Sequence, residues 1–115
     1  MTDAVTQCVF CDIIAGRIPA QFVHDDEQVV VFKDIHPKAR VHLLVVPRVH
    51  VPSLDELEDR HDALIAHMMH LLPVLARNQG LANGFRTVIN TGAGGGQEIA
   101  HLHIHLLGGA PLPGF

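Results

Sequence analysis

The run His101-Leu102-His103-Ile104-His105-Leu106-Leu107 places a histidine at every second position of an otherwise aliphatic stretch. Strict alternation belongs to a β-strand, whose successive side chains point to opposite faces. Three imidazoles then share one face, roughly 6.5 to 7 Å apart, while Leu102, Ile104 and Leu106 anchor the other face in a core. Such a row spans one phosphoryl group and its surroundings, and a buried strand gives the rigid placement that catalysis needs. Two plainer readings stay open: a half-buried edge strand whose polar face happens to be histidine, and a simple metal site.

The remainder of the chain also points to histidine. Ten of the 115 residues are histidine, there is no Trp or Tyr, and the formal charge of −4 would reverse sign if all ten were protonated. No basic block is present, so a nucleic-acid groove built on phosphate contacts is not expected. No apolar run approaches the ~20 residues of a membrane span, and the N-terminus has no signal-peptide apolar region. The expectation is a soluble cytoplasmic protein with one domain over residues 1–115, a frayed end at 1–7 and a short tail at 110–115.

In chain order, Cys8-Val9-Phe10-Cys11 reads as a metal half-site or a redox pair. The redox alternative wants a long following helix, but the segment stops at Gly16 and Pro19, which favours zinc. Phe22-Val23-His24 and Val29-Val30-Val31-Phe32 flank a polar turn and predict two paired strands. Val41 to Val46 predicts a strand apolar on both faces except at His42, which matters chemically only if it lies beside the histidine row. Ser53 with Glu56 is a capping-box signature, and helical spacing follows through Leu57, Leu64, Ile65, Met68, Leu71, Leu72 and Leu75 to about Asn78, with Gly80 as the stop. Pro73 should kink or divide that helix. His61, His67 and His70 read as ordinary solvent-facing or partly buried helix residues. Thr87 to Asn90 predicts another strand, and Gly92 to Gln97 a flexible loop whose amides can approach an anion. The fold class is α+β with a mainly antiparallel sheet.

Within the histidine row, His103 has a neighbour on each side and is assigned as the nucleophile at phosphorus, forming a nucleotidyl-histidine that water hydrolyses. His105 is placed to hydrogen-bond the phosphate or leaving group, and His42 to orient the nucleophile. From Thr87 to Phe115 there is no Lys or Arg. Phosphate charge must therefore be met by imidazole, backbone N–H groups or residues folded in from earlier segments, which suits one phosphate better than a polyphosphate chain.

The histidine run, with Gly95-Gly96-Gln97 before it and Leu107-Gly108-Gly109 after it, resembles the defining motif of the histidine-triad (HIT) superfamily and its Hint branch. Ile13-Ile14-Ala15-Gly16-Arg17-Ile18-Pro19, Phe32-Lys33-Asp34-Ile35-His36-Pro37 and His42-Leu43-Leu44-Val45-Val46-Pro47 extend the likeness over residues 8–109. The resemblance implies a HIT-like fold with five strands, a short N-terminal helix and a longer central one. It also implies a homodimer in which two sheets join, and hydrolysis of purine nucleoside 5′-phosphoramidates and acyl-nucleotide adducts. It gives His103 the attacking role, with His105, His101 and His42 in support. Asp34 matches the ribose carboxylate, Ile14, Phe32 and Ile35 the base contacts, and Asn90, Gly96 and Gln97 the phosphate side. Glu98 stands where relatives have a Ser or Thr donor, and an ionised carboxylate cannot donate. Zinc-binding HIT relatives pair the two cysteines with later histidines, which here implies Cys8, Cys11, His50 and His101. The alternatives are a Fhit-like dinucleoside polyphosphate hydrolase, disfavoured by Gly108-Gly109, and a nucleotide- or zinc-binding adaptor with incidental catalysis.

Overall fold

Alternating side chains sort the two central apolar strands onto two faces, and both faces are covered. The computed structural model describes residues 8–114; the expected frayed segment 1–7 lies outside them. The elements are α1 (Val9–Ile14), β1 (Phe22–Asp25), β2 (Val29–Lys33), β3 (Val41–Pro47), α2 (Asp62–Asn78), β4 (Arg86–Val88) and β5 (Ile104–Gly108). One sheet has the order β1-β2-β3-β5-β4, and every neighbouring pair is antiparallel. This is the five-stranded α+β arrangement expected, with a short N-terminal helix and a longer central one.

On one face Val29, Val31, Leu43, Val45, Ile104 and Leu106 meet Leu64, Met68, Leu72 and Leu75 of α2. On the other, Val30, Phe32, Leu44 and Val46 meet Phe10 and Ile13 of α1. This two-sided cover explains why all seven residues of β3 are buried. Burying each such Val or Leu contributes roughly 1.5 to 3 kcal/mol, so the sheet is a firm base for whatever it carries.

Helix α2 begins later than the capping box suggests. Ser53 Oγ accepts the Asp55 N–H at 3.1 Å and donates to Glu56 at 2.7 Å. That cap serves only a single 3₁₀ turn, Leu54–Glu56, and Leu57 is extended. A second 3₁₀ turn, Asp59–His61, leads into α2, and His61 Nδ1 accepts the Glu58 N–H at 3.0 Å. His61 is therefore buried, not solvent-facing. Pro73 lies inside an unbroken α2 rather than dividing it. The carbonyl it frees belongs to Met69, which is 41% exposed, so water can satisfy it. The helix ends as expected: Gly80 has φ +77, its N–H bonds Arg77 O, and the Leu81 N–H reaches back to Ala76 O at 2.9 Å.

Asp26, in the β1–β2 turn, ties the hairpin to α2. Its Oδ1 accepts the Gln28 and Val29 N–H groups, and its Oδ2 accepts His24 Nε2 at 2.6 Å and His67 Nε2 at 2.8 Å. Burial opposes ionisation of Asp26, but these four donors outweigh it and hold the carboxyl well below the usual carboxylate range.

The strand expected over His101–Leu107 starts only at Ile104. His101 N–H bonds Ile99 O at 2.8 Å and Leu102 N–H bonds Val51 O at 2.7 Å. The backbone before Ile104 pairs with the segment after β3 instead of continuing the ladder, so the three histidines do not share one regular strand face.

Candidate active site and metal centre

Where α1 covers the sheet beside β5, a cavity of about 430 Å³ remains. Its lining falls into an apolar set, with Val9, Phe10, Ile13, Ile18, Phe32 and Leu44, and a polar set, with Lys33, Asp34, Lys38, Asn90, Glu98, His103 and His105. Lys33 and Lys38 are the cations folded in from earlier segments. No helix of the described residues is long and apolar enough to cross a membrane.

His103, His42 and His101 each have one ring nitrogen fixed by backbone, and His42 in turn fixes His105. His103 Nδ1 lies 2.7 Å from His101 O. A carbonyl only accepts, so Nδ1 carries the proton and Nε2 keeps its lone pair. His42 Nδ1 accepts the Lys38 N–H at 3.0 Å, so its Nε2 is protonated and donates to His105 Nδ1 at 2.9 Å. His105 must then carry its own proton on Nε2. The site thus pairs an unprotonated nitrogen on His103 with an N–H on its neighbour, ring centroids 5.0 Å apart. Burial first, then the nearby His103 and His42, pushes His105 down to about 4, so the ring stays neutral at physiological pH. Burial also lowers His42. By strand register Leu44 faces His105, which puts His42 diagonally beside it on the same face.

His101 has a different set of neighbours. Its Nε2 donates to Pro47 O at 2.8 Å, which leaves Nδ1 bare. That nitrogen faces Cys8 Sγ at 3.3 Å, Cys11 Sγ at 3.6 Å and His50 Nδ1 at 3.2 Å, and Cys11 Sγ lies 3.3 Å from His50 Nδ1. A tetrahedral zinc ion with N and S ligands requires edges of about 3.3 Å between nitrogens and about 3.6 Å between nitrogen and sulfur. The donor set and spacing fit that ion. Burial, then the adjacent Cys8, pushes Cys11 up to about 11. Two neighbouring thiolates in this setting need a cation. Burial also lowers His101 to about 4, in keeping with the neutral imidazole a metal requires.

Asp34, His42 and His105 also offer three ligand atoms within 4.8 Å of one another. A cation there would need a lone pair on His42 Nε2 while Nδ1 is already accepting from Lys38, which a neutral imidazole cannot provide. The hydrogen bond within that trio runs from His42 to His105, while Asp34 Oδ2 lies 3.4 Å from the same His42 Nε2 and acts on it through its charge. The other Asp34 oxygen accepts the His36 N–H at 2.9 Å.

Of the expected nucleotide contacts, Phe32, Asp34, Ile35, Asn90 and Gly96 line the cavity, whereas Ile14 and Gln97 do not. On α1 it is Ile13, 8% exposed, that faces the sheet. Gln97 is a brace: its Nε2 donates to Pro52 O and Ile99 O, and its Oε1 accepts the Gly92 N–H. The glycine loop is correspondingly ordered, with Asn90 Nδ2 donating to Gly95 O and the Gly95, Gly96 and Gln97 amides bonded within the loop. Those amides are not free for an anion. Sequence reasoning missed Phe10, Ile18 and Leu44; the apolar i, i+3 pair Phe10 and Ile13 was the available signal for the buried face of α1.

The family model described as scavenger mRNA decapping enzyme C-terminal binding matches residues 7–112. The chain is 40% identical over 106 residues to the 14 kDa zinc-binding protein of Zea mays, covering 90% of this chain and 83% of that one. It is 36% identical over 107 residues to the purine nucleoside phosphoramidase of Escherichia coli K12, covering 92% and 90%. The crystal structure of a HIT family hydrolase from Legionella pneumophila superposes with a TM-score of 0.90 at 40% identity, covering 93% of this chain and 96% of that one. Matches spanning nearly the whole chain, at this identity and on this fold, show that it belongs to the histidine-triad family of hydrolases.

Proposed function

We propose that this hydrolase cleaves purine nucleoside 5′-phosphoramidates and related acyl-nucleotide adducts to the nucleoside monophosphate, with His103 as nucleophile. The carrying observation is the 2.7 Å contact of His103 Nδ1 with His101 O, which leaves Nε2 as the nitrogen with a lone pair. In the first step a bond forms between Nε2 and phosphorus while the P–N or P–O bond to the leaving group breaks. His105 Nε2–H hydrogen-bonds the phosphoryl oxygen, and the departing nitrogen or oxygen takes its proton from solvent, to which the attacking water returns one in the second step. Water then cleaves the N–P bond, restoring His103 and releasing the monophosphate. The apolar lining receives the base, Asp34 Oδ2 the ribose hydroxyls, and Lys38 adds positive charge beside the phosphate. The name of the Escherichia coli relative supports this substrate class.

Zinc at Cys8, Cys11, His50 and His101 belongs to the same proposal, supported by the donor spacing and by the name of the maize relative. Its role is structural: it holds four side chains from three segments together, and His101 then carries the carbonyl that orients His103. We further propose a cytoplasmic homodimer. Lys33 and Lys38 in the cavity wall favour one second reading, a dinucleoside polyphosphate substrate whose extra phosphates they would meet.

The test is turnover of an adenosine 5′-phosphoramidate beside a diadenosine polyphosphate. Loss of amine release in His103→Ala, with little cleavage of the polyphosphate by the unsubstituted protein, is the expected result. Unchanged hydrolysis by His103→Ala would overturn the assignment.

A further inference from the structure

Phe10 lies between the two cysteines in sequence, and in space its ring touches both the cysteine–histidine cluster and the reacting histidine. The ring packs nearly perpendicular to His103, with centroids 5.0 Å apart at 87°. It also packs edge-on to His101 at 5.9 Å and to Phe32 at 5.6 Å, both at 72°. Phe10 is 3% exposed and still borders the cavity.

Its helix is too short to hold itself. A six-residue α1 is far below the ~12 to 15 residues at which an isolated helix becomes even marginal. Its place is set by tertiary ties, and those at its N-terminal end are Cys8 and Cys11 against His50 and His101. Three residues of the cavity wall, Val9, Phe10 and Ile13, ride on this helix. The described restraints on the His103 ring are the His101 carbonyl and packing against Phe10 and His105. The first two come from the segments that build the cluster.

We propose that Phe10 is a positioning residue that couples the cluster to His103 and the cavity, so that metal and nucleotide bind cooperatively. The inference rests on the nucleotide and zinc readings above. A metal drawing the four ligands together seats α1, and the seated Phe10 closes one side of His103 and one wall of the cavity. A nucleotide filling the cavity presses on the same ring and favours the same seat.

Binding linkage provides the test. Zinc affinity is measured by chelator competition at fixed pH with and without AMP, and AMP affinity with and without zinc. The two factors must agree, because coupling between two ligands is reciprocal. In the unsubstituted protein each is expected to tighten the other by about 10-fold. Phe10→Leu, with its zinc ligands intact, should reduce the factor to less than about 2-fold, and Phe10→Tyr, which keeps the perpendicular ring, should retain most of it. A factor of one in the unsubstituted protein, or a full factor in Phe10→Leu, overturns the proposal.

If Phe10→Leu does not fold, or AMP does not bind, the ring NMR signals of His103 at one fixed pH decide. They should move when zinc is removed from the unsubstituted protein, and unchanged signals overturn the coupling. Absence of AMP binding refutes only the nucleotide reading and leaves this readout intact.

Discussion

His42 Nε2 donates to His105 Nδ1 at 2.9 Å, and the direction of that bond is set two atoms away by the Lys38 amide on His42 Nδ1. A backbone group thus dictates which nitrogen of His105 carries a proton. Replacing His42 removes this control without touching the ring that meets the substrate. His42→Ala should therefore lower kcat by about 10²-fold, the lower end for loss of one positioned hydrogen-bond donor to the reacting phosphoryl group, and change KM only a few-fold. Nitrogen chemical shifts of His105 should show mixed tautomers in the variant and a single Nε2–H form in the unsubstituted protein. One tautomer in both would refute the relay.

Acid should weaken the fold through the same ring. His105 is pushed from 6.5 down to about 4, chiefly by burial. Between those values the unfolded chain binds a proton that the native state refuses, so stability is full above about pH 6.5 and falls as pH drops toward 4. The ring is only partly buried, so after discounting for solvent screening the contribution is on the order of 1 kcal/mol. Urea midpoints between pH 7 and pH 4.5 should fall less steeply in His105→Asn than in the unsubstituted protein. Parallel slopes would remove His105 from the account.

The parts of this molecule legible in its sequence are those set by local period. The short unbroken apolar runs Val29 to Phe32 and Val41 to Val46 identify strands, and in the second the lack of a polar alternate beyond His42 already marks a strand covered on two faces. The cysteine pair and the histidine run likewise show the chemistry, since side-chain type is not changed by folding. What escapes is which backbone group each ring meets. The protonated nitrogens of His103, His42 and His101 depend on His101 O, the Lys38 amide and Pro47 O, and only the fold brings those groups into reach. Ser53 misleads for a related reason: its cap is satisfied by one 3₁₀ turn as well as by a helix. On α1 it is Ile13 and not Ile14 that lines the cavity, because the helix buries Phe10 and Ile13 against the sheet. Gln97 has the polarity to meet a phosphate but uses both ends of its amide to hold the glycine loop to Pro52 and Ile99.

That brace predicts an indirect effect on binding. Gln97→Ala frees the Gly92 amide and releases the loop from two carbonyls. Loop ordering must then be supplied on binding, and KM should rise by about 10-fold while kcat changes less. A methyl-bearing residue at Gly96, where φ is +81, should reproduce the effect through strain in the same loop. Steady-state kinetics of both variants separate this role from direct phosphate contact, which would lower kcat with KM.

Asp26 is remote from the cavity and tests stability without chemistry. Its carboxylate accepts from His24, His67 and two backbone amides and joins the hairpin turn to α2. Asp26→Ala strands those donors in a partly exposed setting, where the loss should be about 1 to 2 kcal/mol by denaturant unfolding, with kcat and KM unchanged. The depressed carboxyl contributes stability above the usual carboxylate range that is lost only as pH falls well below it, so Asp26→Ala should be less sensitive to strong acid.

Metal removal should loosen the structure where α1 meets the sheet, because the ligands lie on separate segments. Four donors within 4.8 Å of one another come from α1, the segment after β3 and the segment before β5, so a bound ion joins pieces that the sheet ladder does not. Purified protein should contain one zinc per chain by elemental analysis, and Cys8→Ala should contain far less. Chelation should lower Tm and raise proteolysis at α1 first, because that helix loses its N-terminal tie while the sheet keeps its paired strands. Cys11→Ser should behave similarly, since a hydroxyl does not replace a thiolate as a zinc ligand. Unchanged Tm on chelation of a zinc-loaded sample would show that the sheet and apolar clusters hold α1 unaided, and His101 would then orient His103 without help from a metal.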